Sequence, residues 1–206
     1  MSGRGPPCVF SGGMWNAAPK FMYSDVIRRL KQNFTVVTLS GKIDLTCVDE
    51  LASSLGVDQM VLFAHSAFDP AILQSERLRG AVVCDPVSRP ALGMSGVQSQ
   101  TVQAACPVLT LRAGYLCNSS LPAWNVPVIA GDVTDEVLDG FGHTDLLDDT
   151  WANLASSSGI WQTAEPLRQS FEEWRSVKKD VVNTPRTFYR ERLTQAAISF
   201  LLAKES

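Results

Sequence analysis

Short, almost entirely apolar segments alternate with segments of helical periodicity, and this pattern limits the possible folds more than any other feature. "FTVVTLS" (34–40), "QMVLFAHS" (59–66) and "GAVVCD" (80–85) are rich in β-branched and apolar residues and are predicted strands. Strands that are apolar on both faces are typical of parallel sheets covered by helices. The predicted fold class is therefore α/β, with a mostly parallel sheet and helices on both faces.

The rest of the chain continues this alternation. Further strands are predicted at Cys8–Phe10 and 106–115, a loop at 116–127, and helices at 23–31, 47–55, 71–78, 165–179 and 190–204. Gly56 follows one of these helices and is its predicted C-terminal cap. The last helix has apolar residues along one face, at Leu193, Ala196, Ala197, Phe200 and Leu201. It is therefore expected to dock against the core.

The composition excludes several classes of protein. A length of 206 residues suits a single domain over 1–206, and a net charge of −3 provides no basic face for a nucleic acid. No apolar run is long enough to cross a membrane, and no secretory signal is recognisable. The five cysteines include no CxxC pair, which predicts reduced thiols in an intracellular protein of the cytoplasm or a plastid. No cofactor is expected.

Three polar residues follow predicted strands, where parallel sheets carry their reactive groups. Ser66 comes directly after "VLFA", Asp85 ends "GAVVCD", and His143 follows an extended run. His65, the other histidine of the chain, is expected to point into the sheet, which leaves His143 as the candidate base. The chain order serine, aspartate, histidine is that of α/β-hydrolases. The pattern predicts a triad in which His143 accepts the proton of Ser66 and Asp85 orients the imidazole.

Each residue of this set also has a purely structural interpretation. Ser66 would cap the helix that follows it, and Asp85 would open the turn before Pro86. If Asp85 points away from His143, then Asp132 or Asp135 is the acid to test, because both precede the histidine in the chain.

The run "GFGHTDLLDD" (140–149) raises the alternative of a metal site at His143. Its spacing of histidine and aspartates matches no known ligand set. Asp145, Asp148 and Asp149 are better explained as residues that hold the loop and start the following helix, whose positive end favours them. No metal is expected.

The loop "SGGM" after the first strand would supply part of an oxyanion hole. A tetrahedral oxyanion needs preorganised N–H donors. Gly13 or Met14 would provide one, and Ala67, next after the serine, the other. A simple Gly-Gly turn is the alternative.

Three motifs, "AHSAF", "VVCDPVS" and "GFGHTDLLDD", resemble those of the chlorophyllase group of α/β-hydrolases. The opening segment and the last helix are also similar, so that the resemblance covers roughly residues 8–204 with gaps. It implies a compact α/β-hydrolase fold that begins at the third strand, with the N-terminal strands missing. It also implies Ser66 as nucleophile, Asp85 as acid, His143 as base, and hydrolysis of a carboxylic ester with an apolar group.

The resemblance implies an apolar ester, a pigment or a lipid, as the substrate, with the phytyl ester of chlorophyll as the family's own. Such a substrate needs an apolar channel. The loops 88–105 and 114–127 would line it, with Met94, Tyr115, Leu116, Leu121 and Trp124. Ordinary core packing is the alternative for these side chains.

Three departures from the family pattern favour another function. Ser11 stands where lipases and esterases carry a histidine, Phe68 replaces a small residue after the serine, and only 19 positions (85 − 66) separate Ser66 from Asp85. The alternative is a catalytically degenerate α/β-hydrolase fold that acts as a binding or assembly subunit in a protein complex.

Overall fold

The computed structural model describes residues 5–87, 101–114, 127–139, 141–157 and 185–203. The strands are β1 Gly5–Ser11, β2 Phe34–Thr38, β3 Met60–Ala67, β4 Leu78–Val87, β5 Thr101–Gln103, β6 Val108–Ala113, β7 Val128–Ala130 and β8 Val133–Leu138. The α-helices are α1 Gly13–Asn16, α2 Ser24–Leu30, α3 Leu45–Leu55, α4 Asp149–Ser157 and α5 Arg186–Ala203. Three 3₁₀ helices lie at Lys20–Tyr23, Pro70–Gln74 and His143–Leu146.

Six of these strands form one sheet in the order β2-β1-β3-β4-β6-β8. All neighbouring strands in it run parallel. The short strands β5 and β7 pair separately, also in parallel, and were not predicted as a second sheet. The predicted α/β class with a parallel sheet is confirmed.

Alternate residues of the central strand β3 supply two separate cores. Val61 and Phe63 pack with α2 and α5 on one face of the sheet. Leu62 and Ala64 pack with α3 and the 3₁₀ helix Pro70–Gln74 on the other. Burial on both sides explains why β3 is apolar throughout, and it confirms helices on both faces.

The ends of α3 follow from its local sequence. The Asp44 side chain accepts a hydrogen bond from the Cys47 N–H at 3.0 Å, which caps the start of the helix. Gly56 ends it with a φ of 63°, a left-handed conformation that glycine adopts without steric cost. The predicted cap at Gly56 is confirmed.

The segment between β3 and β4 differs from the prediction of a helix over 71–78. It holds only a 3₁₀ helix at Pro70–Gln74, and Leu78 already begins β4. Parallel strands need a connection of about a dozen residues or more for a crossover helix. Residues 68–77 provide fewer, so no regular α-helix forms here.

The terminal helix α5 begins at Arg186, four positions before the predicted start at 190. Leu193, Ala197 and Leu201 are fully buried, as the apolar face predicts. The predicted helix 165–179 lies outside the described residues, as does nearly all of the loop 116–127.

Among the helices that the structure describes, none combines the length and apolar character needed to span a membrane. Cys8, Cys47, Cys84 and Cys106 are free thiols. Burial raises the pKa of Cys8 to about 12 and that of Cys106 to about 11, so these two thiols remain protonated at neutral pH.

Candidate active site

Ser66 occupies a strained turn at the carboxyl end of β3. Its φ is 63°, a left-handed conformation uncommon for a residue with a side chain. The 3₁₀ helix that follows is capped by Asp69, whose side chain accepts the Ala71 N–H at 3.1 Å. Ser66 therefore does not cap the next helix, and its hydroxyl is directed elsewhere.

That hydroxyl lies against His143. The distance from Ser66 Oγ to His143 Nε2 is 2.8 Å, a normal hydrogen-bond length. His143 is the first residue of the 3₁₀ helix His143–Leu146, in the connection that follows β8. The structure thus brings together two residues that are 77 positions apart in the chain.

Asp85 faces the opposite side of the same imidazole. Its Oδ2 lies 3.6 Å from His143 Nδ1, within ion-pair range but longer than a hydrogen bond. Its Oδ1 accepts the Ala113 N–H at 2.6 Å, which anchors the carboxylate between β4 and β6. Asp85 lies within β4 at a φ of 45°, instead of opening a turn before Pro86. Of the alternative acids, Asp135 pairs with Arg112 at 2.9 Å.

The predicted oxyanion loop runs directly beside the serine. A Cβ added to Gly13 would lie 3.2 Å from the Ser66 Cβ, so glycine is the residue that allows this approach. The Gly13 N–H donates to the Tyr23 hydroxyl oxygen at 2.8 Å. Met14 follows in the first turn of α1, where amides have no partner within the helix. The roles predicted for Gly13, Met14 and Ala67 stay predictions.

His65 is buried beneath the site, as expected. Its Nδ1 lies 2.9 Å from the Tyr23 hydroxyl, and its Nε2 lies 3.1 Å from the carbonyl oxygen of His143. Its burial lowers its pKa well below the usual value, and nearby His143 lowers it further. Tyr23 was predicted only as the first residue of the helix 23–31. No local signal connects it with His65, which is 42 positions away.

Asp145 holds the loop that carries His143. Its Oδ2 accepts the Gly142 N–H at 2.8 Å. Its Oδ1 accepts a hydrogen bond from Arg186 Nε on α5, also at 2.8 Å. Asp145 therefore fixes the residue before His143, as the prediction of a loop-holding role requires.

Asp148 and Asp149 differ from each other in what they bind. Asp149 begins α4 as predicted, and it accepts a hydrogen bond from Arg190 at 3.1 Å. The Asp148 side chain instead accepts the N–H groups of Ser24 and Asp25, both at 3.0 Å. Its side chain thus caps α2, while its carbonyl oxygen accepts the N–H groups of Trp151 and Ala152 at the start of α4, as predicted.

His65, Asp85 and His143 are the one group of potential metal ligands found among the described residues, with their ligand atoms within 4.8 Å of one another. The two imidazole rings stack at 4.7 Å with an angle of 28° between their planes. Nitrogen lone pairs lie in the ring plane, so those of the two stacked rings lie in nearly parallel planes and are not directed at one ion between the rings. Both nitrogens of His65 also already have partners. This arrangement does not fit a metal centre.

The predicted substrate-binding residues Met94, Tyr115, Leu116 and Trp124 lie outside the described residues, together with Leu121. Phe68, in contrast, is fully buried and packs in the core with Ile72. Its ring belongs to the cluster on the sheet face opposite to Tyr23, so the size of Phe68 is accommodated by the core.

Fold and site together define an α/β protein in which a serine, a histidine and an aspartate meet at the carboxyl edge of a parallel sheet. Neither a scan against models of protein families nor a search of curated proteins finds a match for this chain.

Proposed function

We propose that this chain is a serine hydrolase of the α/β-hydrolase fold that cleaves carboxylic esters with an apolar group. The observation that carries the proposal is the pair of contacts made by His143. Its Nε2 lies 2.8 Å from Ser66 Oγ, and its Nδ1 faces Asp85 Oδ2 at 3.6 Å. Ser66, His143 and Asp85 thus contact one another in the sequence nucleophile, general base and orienting acid, which is the arrangement of acyl-transfer enzymes.

The proposed reaction has two halves. Ser66 Oγ attacks the ester carbonyl carbon while His143 Nε2 accepts the hydroxyl proton. The tetrahedral intermediate then breaks its bond to the alcohol oxygen, which receives that proton from His143. Water repeats the attack on the acyl-serine, again with His143 as base, and releases the carboxylic acid and free Ser66. Asp85 stabilises the imidazolium that forms in each half.

The oxyanion would be bound by the backbone N–H groups of Met14 and Ala67. Of the two candidates in the first loop, Met14 is favoured because the Gly13 N–H already donates to Tyr23. Ala67 follows the serine directly, which is the usual place of the second donor in α/β-hydrolases.

The α/β-hydrolase fold and the class of substrate are part of the same proposal. The chain order Ser66, Asp85, His143 and the parallel sheet support the α/β-hydrolase fold. The resemblance to chlorophyllases in "GFGHTDLLDD" and "VVCDPVS" supports chlorophyll or a lipid ester as substrate. A single domain and an intracellular location, in the cytoplasm or a plastid, complete the proposal.

The proposal is tested with a fluorophosphonate probe and p-nitrophenyl esters of increasing acyl length. We expect wild-type protein to be labelled at Ser66 and to prefer longer acyl chains. Ser66→Ala should abolish labelling and lower kcat by roughly 10⁴–10⁶-fold. Ser54→Ala is the matched control, because it makes the same change at an exposed position on α3. Folded wild-type protein that neither reacts nor turns over any ester would rule out the hydrolase.

A pair of isosteric variants tests the acid. Asp85→Asn keeps an oxygen for the Ala113 N–H but presents an amide to His143, so kcat should fall by about 10³–10⁴-fold. Asp135→Asn changes a carboxylate that pairs with Arg112 and should leave kcat unchanged. Equal activity of the two variants would show that Asp85 is not the acid.

One observation favours a second candidate, a degenerate hydrolase fold that acts as a binding or assembly subunit. The serine is followed only by the five-residue 3₁₀ helix Pro70–Gln74, so no long helix dipole supports an oxyanion there. This candidate predicts a stable protein complex that forms equally well with Ser66→Ala, together with the absence of probe labelling.

A further inference from the structure

A buried chain of hydrogen bonds joins the oxyanion loop to the backbone of the proposed base. The Gly13 N–H donates to Tyr23, the Tyr23 hydroxyl lies 2.9 Å from His65 Nδ1, and His65 Nε2 lies 3.1 Å from the His143 carbonyl oxygen. Tyr23 is 1% exposed and His65 is 3% exposed. Solvent therefore competes little for the two contacts of the Tyr23 hydroxyl, while the contact of His65 with the His143 carbonyl is partly buried.

The chemistry of the groups gives every hydrogen bond in this chain one direction. A carbonyl oxygen only accepts, so the proton of neutral His65 must lie on Nε2. Nδ1 is then an acceptor and receives the Tyr23 O–H, while the phenol oxygen receives the Gly13 N–H. Burial lowers the pKa of His65 and raises that of Tyr23, which keeps both groups neutral and this arrangement intact.

We propose that Tyr23 and His65 are positioning residues that hold the His143 imidazole in register with Ser66 and fix the loop at Gly13 beside it. This inference rests on the proposed hydrolase function. His65 acts on His143 in two ways, through its hydrogen bond to the backbone carbonyl and through ring stacking at 4.7 Å. Tyr23 in turn fixes both the His65 ring and the Gly13 amide.

The geometry explains why this support matters. Ser66 Oγ and His143 Nε2 are at hydrogen-bond distance, but the contact from His143 Nδ1 to Asp85 is 3.6 Å, so the acid alone holds the ring loosely. A misplacement of about 1 Å in an active site can cost about 10²-fold in rate. The hydrogen bond from His65 restrains the backbone of His143, and the stacked His65 ring restrains one face of its imidazole.

The chain offers a sharp test because His65 and His143 are its only histidines. Protein labelled with ¹⁵N-histidine yields just two imidazole spin systems. We expect His65 to remain a neutral Nε2–H tautomer from about pH 5 to about pH 8, the range in which a free imidazole titrates. Tyr23→Phe removes one oxygen and should shift the resonances of both rings. It should also lower kcat by about 10–100-fold with little change in KM.

Tyr189→Phe is the matched control, because it removes the same oxygen from another fully buried tyrosine. Tyr189 stacks on Phe141 and is not part of the chain of contacts from Gly13 to His143, so Tyr189→Phe should leave the tautomer and the resonances of His65 unchanged. A second pair of variants separates hydrogen bonding from packing. His65→Gln retains an N–H donor for the His143 carbonyl and should keep more activity than His65→Leu.

Two outcomes decide between the proposals. The first outcome requires that wild-type protein reacts with the fluorophosphonate. If the His143 resonances are then unchanged in Tyr23→Phe, or if His65 is an Nδ1–H tautomer, the positioning role alone is overturned. A folded wild-type protein that does not react overturns both the hydrolase function and the positioning role.

Discussion

Ser66 combines a strained backbone position with its proposed chemistry. A left-handed φ costs a residue with a side chain about 1–3 kcal/mol, and the residue must be held there by its surroundings. The same turn directs the hydroxyl to His143 and brings Gly13 against the serine. The conformation of Ser66 therefore lowers the stability of the fold, while the proposed function requires it.

Comparing the stabilities of Ser66→Gly and Ser66→Ala measures the free-energy cost of this backbone conformation. Both variants lose the hydroxyl, but only glycine relieves the φ of 63°. Allowing for the greater flexibility of glycine in the unfolded chain, we expect Ser66→Gly to be about 1 kcal/mol more stable than Ser66→Ala. The measurement is urea unfolding followed by circular dichroism. A Ser66→Gly protein that is less stable than Ser66→Ala would show that the turn is not strained.

Among the elements, α2 and the segment after His143 are joined by acidic side chains. Asp148 caps the start of α2 by accepting the N–H groups of Ser24 and Asp25. Asp25 accepts a hydrogen bond from Arg190 of α5 at 3.0 Å, and Arg190 donates to the Leu147 carbonyl at 2.8 Å. Since Leu147 follows the 3₁₀ helix that carries His143, these bonds hold the proposed base against two helices.

The pH dependence of stability should report on Asp25. Burial acts to raise the pKa of this carboxyl, but hydrogen bonds from Arg190, Arg28 and Arg29 outweigh it and hold the pKa below its usual value. The folded pKa thus lies below the unfolded value of about 3.9, so the contribution of Asp25 is present above about pH 4. It is lost as the pH falls through the folded pKa.

The measurement is the free energy of unfolding between about pH 7 and pH 3 for wild type and Asp25→Asn. We expect Asp25→Asn to be less stable at neutral pH and to lose less stability on acidification. Asp58→Asn, an exposed carboxylate on the surface, is the control and should follow the wild type. Parallel curves for Asp25→Asn and wild type would contradict the assignment.

At the scale of the whole molecule, the terminal helix α5 closes one face of the sheet. Leu193, Ala197 and Leu201 are fully buried there, and a Cβ on Gly80 of β4 would lie 3.4 Å from Leu201 Cδ2. The helix also supplies Arg190 and Arg186, which bind the segment around His143. Docking of the last helix therefore stabilises the core and the site together.

Leu201→Ala should lower the free energy of unfolding by about 2–5 kcal/mol, because it leaves a cavity between α5 and β4. Leu202→Ala makes the same change at the neighbouring, half-buried residue and should cost clearly less. Denaturant unfolding measures both. Equal losses in the two variants would show that α5 does not dock through the Leu201 face.

Local patterns account for much of what could be predicted. Apolar runs predicted five of the six strands of the parallel sheet, and Gly56 marked the end of α3, because these signals depend on neighbouring residues. The mostly exposed β8 was recognised only as an extended run before His143. The predicted helix 71–78 was wrong in kind and extent. Its residues have helical character, but the connection between β3 and β4 has too few residues for an α-helix. Only the 3₁₀ helix Pro70–Gln74 forms there.

For the site, the sequence by itself determined which residues end the strands, and hence that Ser66, Asp85 and His143 are the candidates. Parallel strands bring their carboxyl ends to one edge, so chain order indicated these three residues, although it left Asp132 and Asp135 open as alternative acids. Only the tertiary structure decided that Tyr23 engages the Gly13 amide and that Asp148 caps a helix 124 positions away from it in the chain. Such contacts depend on how distant segments pack, and packing between distant segments leaves no periodic pattern in the sequence.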